Sequence, residues 1–302
     1  MDSPIHFESR GPIGVLTLNR PERLNAIDFA MLRGLRAFFD ERQRDFATRV
    51  IVITGAGRGF CAGLDLKASG NEGQWQPDTG PVQNLLTFQE DIAELTMKMR
   101  NCPQPIIAAV NGPATGGGLS IAIASDMRIG TENARFACSY LNLGLGGADV
   151  GSSYFLPKIV GSAYAAEMLY SGRIIDAAEA KEMALITRIV SPEDLVPAAV
   201  AIAEGIVRKA SPLGLRLTKQ VLNETVNGRS TDERNVGFPF DESPMSRRTV
   251  VPLSTSPKST LVGMSVGHGI TNGPLASGPP ARSPHAAPKS ATAATRSTER
   301  MS

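Results

Sequence analysis

Histidine is scarce in this chain, and its scarcity excludes several kinds of catalytic site. Of 302 residues only three are histidine, namely His6, His268 and His285. His6 lies in a predicted first strand, and the other two lie near the C-terminal end of the sequence. The body of the chain therefore offers no base for a Ser-His-Asp or Cys-His site, and no convincing set of zinc ligands.

Cysteine and long apolar runs are scarce as well. The three cysteines, Cys61, Cys102 and Cys138, cannot form a full disulfide framework and lack the spacing of a metal site. We expect them to be reduced, small apolar side chains in a cytoplasmic protein. The sequence has no run of about 18 apolar residues, which excludes a transmembrane helix. Residues 1–20 carry two acids and no apolar core, so we expect no secretory signal.

Residues 243–302 differ in composition from the rest of the chain. They hold 7 basic residues and 1 acid, and subtracting them from the chain's 31 basic and 29 acidic residues leaves 24 and 28 in residues 1–242. The segment has 8 prolines and no aromatic residue, so its burial cannot offset the entropy cost of ordering. We predict one folded domain over 1–242 and a disordered, basic Pro/Ser/Thr-rich tail over 243–302. The mild acidity of the domain argues against nucleic acid as a partner.

The folded part alternates strand and helix patterns. Ile13–Leu18 and 49–54 are apolar runs typical of strands, and 24–44 and 84–100 have helical periodicity. Asn25 is the predicted cap of the first of these helices. The alternation predicts an α/β fold in which helical crossovers cover a sheet.

Two predicted strands end in glycine-rich turns. The first turn reads GAGRGFCAGLDLK over 55–67, and the second reads NGPATGGGLS over 111–120. The second turn opens a predicted helix, whose first amides have no partner within the helix. If the Leu64 amide converges on the same point, two N–H groups could hold a developing oxyanion. One alternative to an oxyanion site is that the glycines only permit tight turns and close packing. A dinucleotide site is a weaker one, because the third glycine of the first turn comes one residue early for GxGxxG.

Three runs together resemble the enoyl-CoA hydratase/isomerase (crotonase) superfamily, namely LNRPERLNAI, RGFCAGLDLK and PIIAAVNGPATGGGLSIAIASDMRI. The resemblance covers roughly residues 5–228. It implies a crotonase-like spiral of ββα units and a homotrimer or a dimer of trimers. It also implies acyl-CoA as the small-molecule substrate, with no cofactor and no metal. In the family, two backbone amides stabilise a thioester enolate, and the resemblance assigns them to Leu64 and Gly117.

The resemblance also implies which residues contact coenzyme A. One segment resembles the family's adenine-contacting stretch, and its implied substrate-binding residues are Ala62, Asp65, Leu66 and Lys67. Arg23 and Leu24 lie on a loop that, in the family, approaches the same nucleotide end.

Two positions depart from the pattern of the family's hydratases. These enzymes have one glutamate two residues after the GGG run and a second four residues before the glycine that matches Gly144. Here the two positions are Ser120 and Tyr140, which we include among the substrate-binding residues. Tyr140 could hydrogen-bond the thioester end of the substrate or merely fill the pocket.

One acid remains near the implied acyl chain. Asp149 lies in the run ADVG, which resembles the ADVG of dienoyl-CoA isomerases, where the aspartate is an acid/base on the acyl chain. The alternative is that Asp149 caps a helix that starts near Gly151. The resemblance thus predicts an enzyme that hydrates an enoyl- or dienoyl-CoA or isomerises its double bond, with Asp149 as the acid/base. The alternative function is a non-catalytic acyl-CoA carrier with no membrane partner, favoured by the two departures.

Overall fold

Parallel strands dominate the main sheet of the computed structural model, which describes residues 3–65, 80–144 and 150–226. The strands are β1 Ile5–Arg10, β2 Ile13–Leu18, β3 Val50–Gly55, β4 Ile106–Val110, β5 Pro113–Thr115, β6 Met127–Thr131, β7 Arg135–Ala137, β8 Ile175–Asp176 and β9 Ile189–Val190. The main sheet has the order β1-β2-β3-β4-β6-β9, and only β1 runs antiparallel to its neighbour. A second sheet has the order β5-β7-β8.

Helices connect most of these strands. They are α1 Phe29–Arg42, α2 Pro81–Asn101, α3 Gly117–Ala124, α4 Ser152–Val160, α5 Ser162–Ser171, α6 Ala177–Glu182, α7 Leu195–Lys209 and α8 Pro212–Val226. One-turn 3-10 helices occur at Pro21–Arg23 and Leu141–Leu143. None of the helices in the described ranges is long and apolar enough to cross a membrane. The alternation of strands and helices confirms the predicted α/β class.

The main sheet buries both of its faces. Successive side chains of a strand point to opposite faces, so Ile51 and Ile53 of β3 belong to the larger core, together with residues of α1, α2 and α3. Val50 and Val52 point the other way and pack with α7. Burying such side chains stabilises the fold by roughly 1.5–3 kcal/mol each. A strand buried on both faces reads as an unbroken apolar run, which is why β3 is recognisable in the sequence.

The first helix is shorter than the predicted span 24–44. It begins at Phe29, and its N-cap is Asp28, whose carboxylate accepts a hydrogen bond from Met31 N at 2.8 Å. The prediction of Asn25 as the cap is therefore wrong. Other predicted boundaries lie closer to the observed ones. The strand Ile13–Leu18 is as predicted, and the helix predicted from residue 84 begins three residues earlier, at Pro81.

Asn25 stabilises a loop instead of a helix. Leu24 and Asn25 both have left-handed backbones, with φ of 50° and 57°. The buried Asn25 side chain accepts a hydrogen bond from Arg20 N and donates to the carbonyls of Ala56 and Gly59. Because asparagine tolerates the left-handed region better than most residues, Asn25 can both make this turn and tie it to the end of β3.

Four features predicted from the sequence lie outside the described residues. They are the predicted tail over 243–302, the implied contacts Leu66 and Lys67, and the implied acid/base Asp149.

Candidate active site

Leu64 lies on the segment that follows β3, and this segment pairs with Ile27. Ile27 N donates to Gly63 O at 2.7 Å, and Asp65 N donates to Ile27 O at 2.9 Å. The two bonds form a parallel bridge between Ile27 and Leu64, in which the Leu64 N–H points away from Ile27. Within the described ranges, the Leu64 N–H has no hydrogen-bond acceptor.

Gly117 lies beside this segment. It is the first residue of α3 and follows Gly116, whose φ of 51° and ψ of −120° suit only glycine. A Cβ on Gly63 would lie 3.4 Å from the Gly117 nitrogen and 2.8 Å from Thr115 O. A Cβ on Gly117 would lie 3.6 Å from Leu64 Cδ2. The two segments that carry the implied oxyanion amides are thus in direct contact.

The glycines of the GGG run have different roles. A Cβ on Gly118 would lie 1.9 Å from Cys61 O, so this glycine is required for the packing of α3 on the preceding loop. Gly117 has more room, since the nearest atoms to its added Cβ lie at 3.4–3.6 Å. In the part of the chain that the structure describes, the Gly117 N–H has no acceptor, as is usual for the first turn of a helix. Close packing therefore explains Gly118, and it leaves the Gly117 amide available to a ligand.

The three cysteines are buried and unpaired, as predicted. Burial raises the pKa of the Cys61 thiol to about 12 and that of Cys138 to about 12. Burial also raises the pKa of Cys102. A protonated thiol is a poor nucleophile and a poor metal ligand, so Cys61 is a packing residue of the motif. Among the described residues, no group of three or more His, Cys, Asp or Glu side chains could hold a metal ion.

The implied nucleotide-end residues lie in two adjoining loops. Ala62 N donates to Leu24 O at 3.0 Å, which joins the loop after β3 to the turn that contains the exposed Arg23. The Asp65 carboxylate forms an ion pair with Arg20 at 3.0 Å and is largely buried. The structure therefore brings Arg23, Leu24 and Ala62 into one region. It gives Asp65 a structural partner, one that stabilises the loop carrying the Leu64 amide.

Ser120 and Tyr140 meet, and a third residue joins them. The Tyr140 hydroxyl lies 2.9 Å from Ser120 Oγ and 2.9 Å from Ser152 Oγ, and the two serine oxygens are 3.4 Å apart. Ser120 and Ser152 are 0% exposed and Tyr140 is 5% exposed. Tyr140 thus does more than fill apolar space, because its hydroxyl has two polar partners. Ser152 belongs to none of the sequence motifs, and only the packing of α4 on α3 brings it here.

The residues just before Ser152 have an unusual backbone. Val150 has a φ of 49° and Gly151 a φ of 79°. Positive φ in a β-branched residue is rare, and it costs on the order of 1–3 kcal/mol. Gly151 is the N-cap of α4. The role of Asp149 itself stays a prediction.

A second acid, Asp126, has a structural role. One oxygen of its carboxylate accepts hydrogen bonds from Ile106 N at 2.7 Å and pairs with Lys219 Nζ at 2.9 Å. Arg100 lies 3.4 Å from the other oxygen. Lys219 is buried and also donates to two backbone carbonyls. Asp126 therefore anchors α8 to the sheet and is not free for proton transfer.

Comparison with known proteins points to one family. The family model described as enoyl-CoA hydratase/isomerase matches residues 8–246. The chain is 39% identical to a "probable enoyl-CoA hydratase" of Mycobacterium bovis over 213 residues, which cover 70% of this chain and 74% of that protein.

Solved structures agree with this match. A crystal structure of a "probable enoyl-CoA hydratase/isomerase" from Mycobacterium abscessus is 35% identical with a TM-score of 0.68, covering 76% of this chain and 85% of that one. A "monofunctional enoyl CoA isomerase" from M. smegmatis is 33% identical with a TM-score of 0.64, covering 76% and 97%. The predicted crotonase-like fold is thereby confirmed.

Proposed function

Because the chain belongs to the enoyl-CoA hydratase/isomerase family, we propose that this acyl-CoA enzyme stabilises a thioester enolate between the backbone amides of Leu64 and Gly117. The observation that supports the proposal is the contact between the two segments that carry these amides. Both N–H groups lack an acceptor among the residues that the structure describes. One such donor is worth about 2.7–4 kcal/mol of transition-state stabilisation in acyl transfer.

The chemistry of the side chains favours isomerisation over hydration. Hydration of an enoyl thioester benefits from one group that activates water and another that handles the α proton. Ser120 and Tyr140 carry hydroxyls, which are uncharged near neutral pH and are poor bases. Moving a double bond needs one acid/base, which takes a proton from one carbon and returns it to another. We assign this role to Asp149 and propose an enoyl- or dienoyl-CoA as the substrate, with hydration as the second possibility.

Coenzyme A is proposed to lie along the two adjoining loops. Arg23, Leu24 and Ala62 are the described residues of this end, and Leu66 and Lys67 are the further proposed contacts. Within this proposal Asp65 contributes through its ion pair with Arg20, which holds the loop. We propose a homotrimer or a dimer of trimers in the cytoplasm, in keeping with three unpaired thiols.

A non-catalytic acyl-CoA carrier is the second candidate function. The observation in its favour is that Ser120, Tyr140 and Ser152 form a cluster of three hydroxyls, which are poor bases. Binding and chemistry can be measured separately, so the two candidates are separable.

The experiment incubates the full chain in D2O with butyryl-CoA and with a panel of enoyl- and dienoyl-CoA thioesters. Mass spectrometry measures deuterium at the α carbon, and absorbance measures double-bond movement. Exchange or isomerisation supports the enzyme. Tight binding of the same thioesters, without exchange or product, would contradict the enzymatic function and support the carrier function.

A further inference from the structure

A buried hydroxyl cluster adjoins the peptide that carries the proposed oxyanion amide. The hydroxyl cluster consists of Ser120, Tyr140 and Ser152, whose oxygens lie 2.9–3.4 Å apart. The three residues come from α3, from the residue before the 3-10 turn, and from the first position of α4. Buried hydroxyls are costly unless they are hydrogen-bonded, and here each member supplies a hydrogen-bond partner to the other two.

The cluster reaches the oxyanion amide through one carbonyl. Ser120 Oγ donates to Gly116 O at 3.3 Å, and Ser120 N donates to the same oxygen at 3.0 Å. Gly116 O and the Gly117 N–H belong to one planar trans peptide group, so they point in opposite directions. Fixing the carbonyl therefore fixes the direction of the N–H. A donor on the carbonyl also polarises the N–H at the other end of the peptide.

Such support is needed because this peptide follows a glycine. Gly116 has no Cβ to restrict its backbone, and its φ of 51° and ψ of −120° lie outside the usual regions. The nearest side-chain atom to its open face is Tyr140 Cε1, at 3.9 Å from the position of an added Cβ. The Tyr140 ring thus lies beside the open face of Gly116, and Ser120 holds the Gly116 carbonyl.

We propose that Ser152 and Tyr140 are positioning residues, which orient the Ser120 hydroxyl onto Gly116 O and thereby aim the Gly117 N–H at the thioester oxygen. The proposal rests on the proposed function for its substrate. It differs from a substrate-contact role for Ser120 and Tyr140, because their effect passes through the backbone. Neutral hydroxyls suit such a role, since positioning requires no change of charge.

The test measures carbonyl polarisation directly. Butyryl-CoA with a 13C-labelled thioester carbonyl is bound to the full chain. The infrared stretching frequency of this carbonyl is compared between bound and free ligand. We expect the wild-type chain to lower the frequency. Ser120→Ala, Ser152→Ala and Tyr140→Phe should each return it partly toward the free value. Tyr140→Phe keeps the ring, so it removes the hydroxyl with little change in packing.

Ser125→Ala is the matched control. Ser125 is also buried, lies at the end of α3, and donates to Ile121 O at 3.0 Å in the same i to i−4 pattern as Ser120. It has no part in the hydroxyl cluster, so its loss should leave the carbonyl frequency at the wild-type value. With a substrate found in the panel, Ser152→Ala should lower kcat about three- to tenfold, the effect of one hydrogen bond, with KM nearly constant.

The double variant decides how Ser152 acts. If it acts through Ser120, then Ser152→Ala should add no further change to a chain that already carries Ser120→Ala. A full additional effect would overturn the proposal, and so would an unchanged frequency in Ser152→Ala and Tyr140→Phe. Failure of the proposed function has a different signature, because the wild-type chain itself would then leave the carbonyl frequency of bound butyryl-CoA unshifted.

Discussion

Replacing Gly117 by proline should remove one oxyanion donor while leaving the helix intact. Proline has no N–H and fixes φ near −65°. Gly117 is the first residue of α3, the position at which helices accept proline most readily. Its N–H has no acceptor in the described ranges, so the substitution breaks no hydrogen bond there. The expected damage is therefore chemical and not structural.

The magnitude follows from the value of one donor. A loss of about 2.7–4 kcal/mol corresponds to roughly 100- to 1,000-fold in kcat, at 1.36 kcal/mol for each factor of ten. Gly117→Ala is the comparison variant, because it adds a Cβ and keeps the N–H. The added Cβ would meet Ile27, Ile92 and Leu64 at 3.4–3.6 Å, so the cost of the added volume is small. The Gly117→Ala variant should lose far less activity than the Gly117→Pro variant.

The assay is α-carbon deuterium exchange and turnover of the thioester panel, measured for both variants beside the wild type. Circular dichroism and the melting temperature establish that each variant is folded, and calorimetry measures acyl-CoA affinity. If the folded Gly117→Pro variant keeps its turnover within threefold of the wild-type value, the proposed role of the Gly117 amide is refuted. An equal loss in both variants would show that volume, and not the N–H, caused the effect.

Three further predictions concern other parts of the chain. Asp149→Asn keeps size and cannot ionise, so turnover should fall about 10²–10⁴-fold with little change in affinity; retained turnover would remove Asp149 from the chemistry. Asp126→Ala leaves the buried Lys219 ammonium without its carboxylate and should cost about 3–5 kcal/mol in urea unfolding; a loss below 1 kcal/mol would contradict the anchoring role. Deleting residues 243–302 should leave the melting temperature and acyl-CoA binding nearly unchanged, and a large loss of either would show that this segment docks as structure.

Local patterns were enough to predict the elements that carry the site. The run Ile13–Leu18 is the strand β2 without any shift, and the two glycine-rich turns do meet, because parallel neighbouring strands end at the same edge of a sheet. These features depend on burial and on glycine geometry, which a short stretch of sequence determines. The sequence left open whether the Leu64 segment reaches the second turn, and the structure shows that the Leu64 and Gly117 segments are in contact.

The wrong cap at Asn25 shows where local rules fail. Both Asn25 and Asp28 satisfy the residue preference for a helix N-cap, so that preference alone cannot choose between them. The choice depends on the 3-10 turn at Pro21–Arg23 and on the carbonyls of Ala56 and Gly59, which Asn25 binds across 31 and 34 residues. Long-range hydrogen bonds of this kind leave no periodic signal in the sequence.

The hydroxyl cluster could not be predicted from the sequence for the same reason, because its members lie far apart along the chain. Ser120 lies 20 residues from Tyr140 and 32 from Ser152, so no motif spans the three. Removing one of the three hydroxyls takes a hydrogen-bond partner from the other two, which is costly for buried groups. Together with Ser152, placed by the left-handed backbone of Val150 and Gly151, the two residues satisfy one another. The hydroxyl cluster is therefore a unit, and its members should tolerate replacement jointly better than singly, because joint removal leaves fewer hydroxyls that have lost a partner.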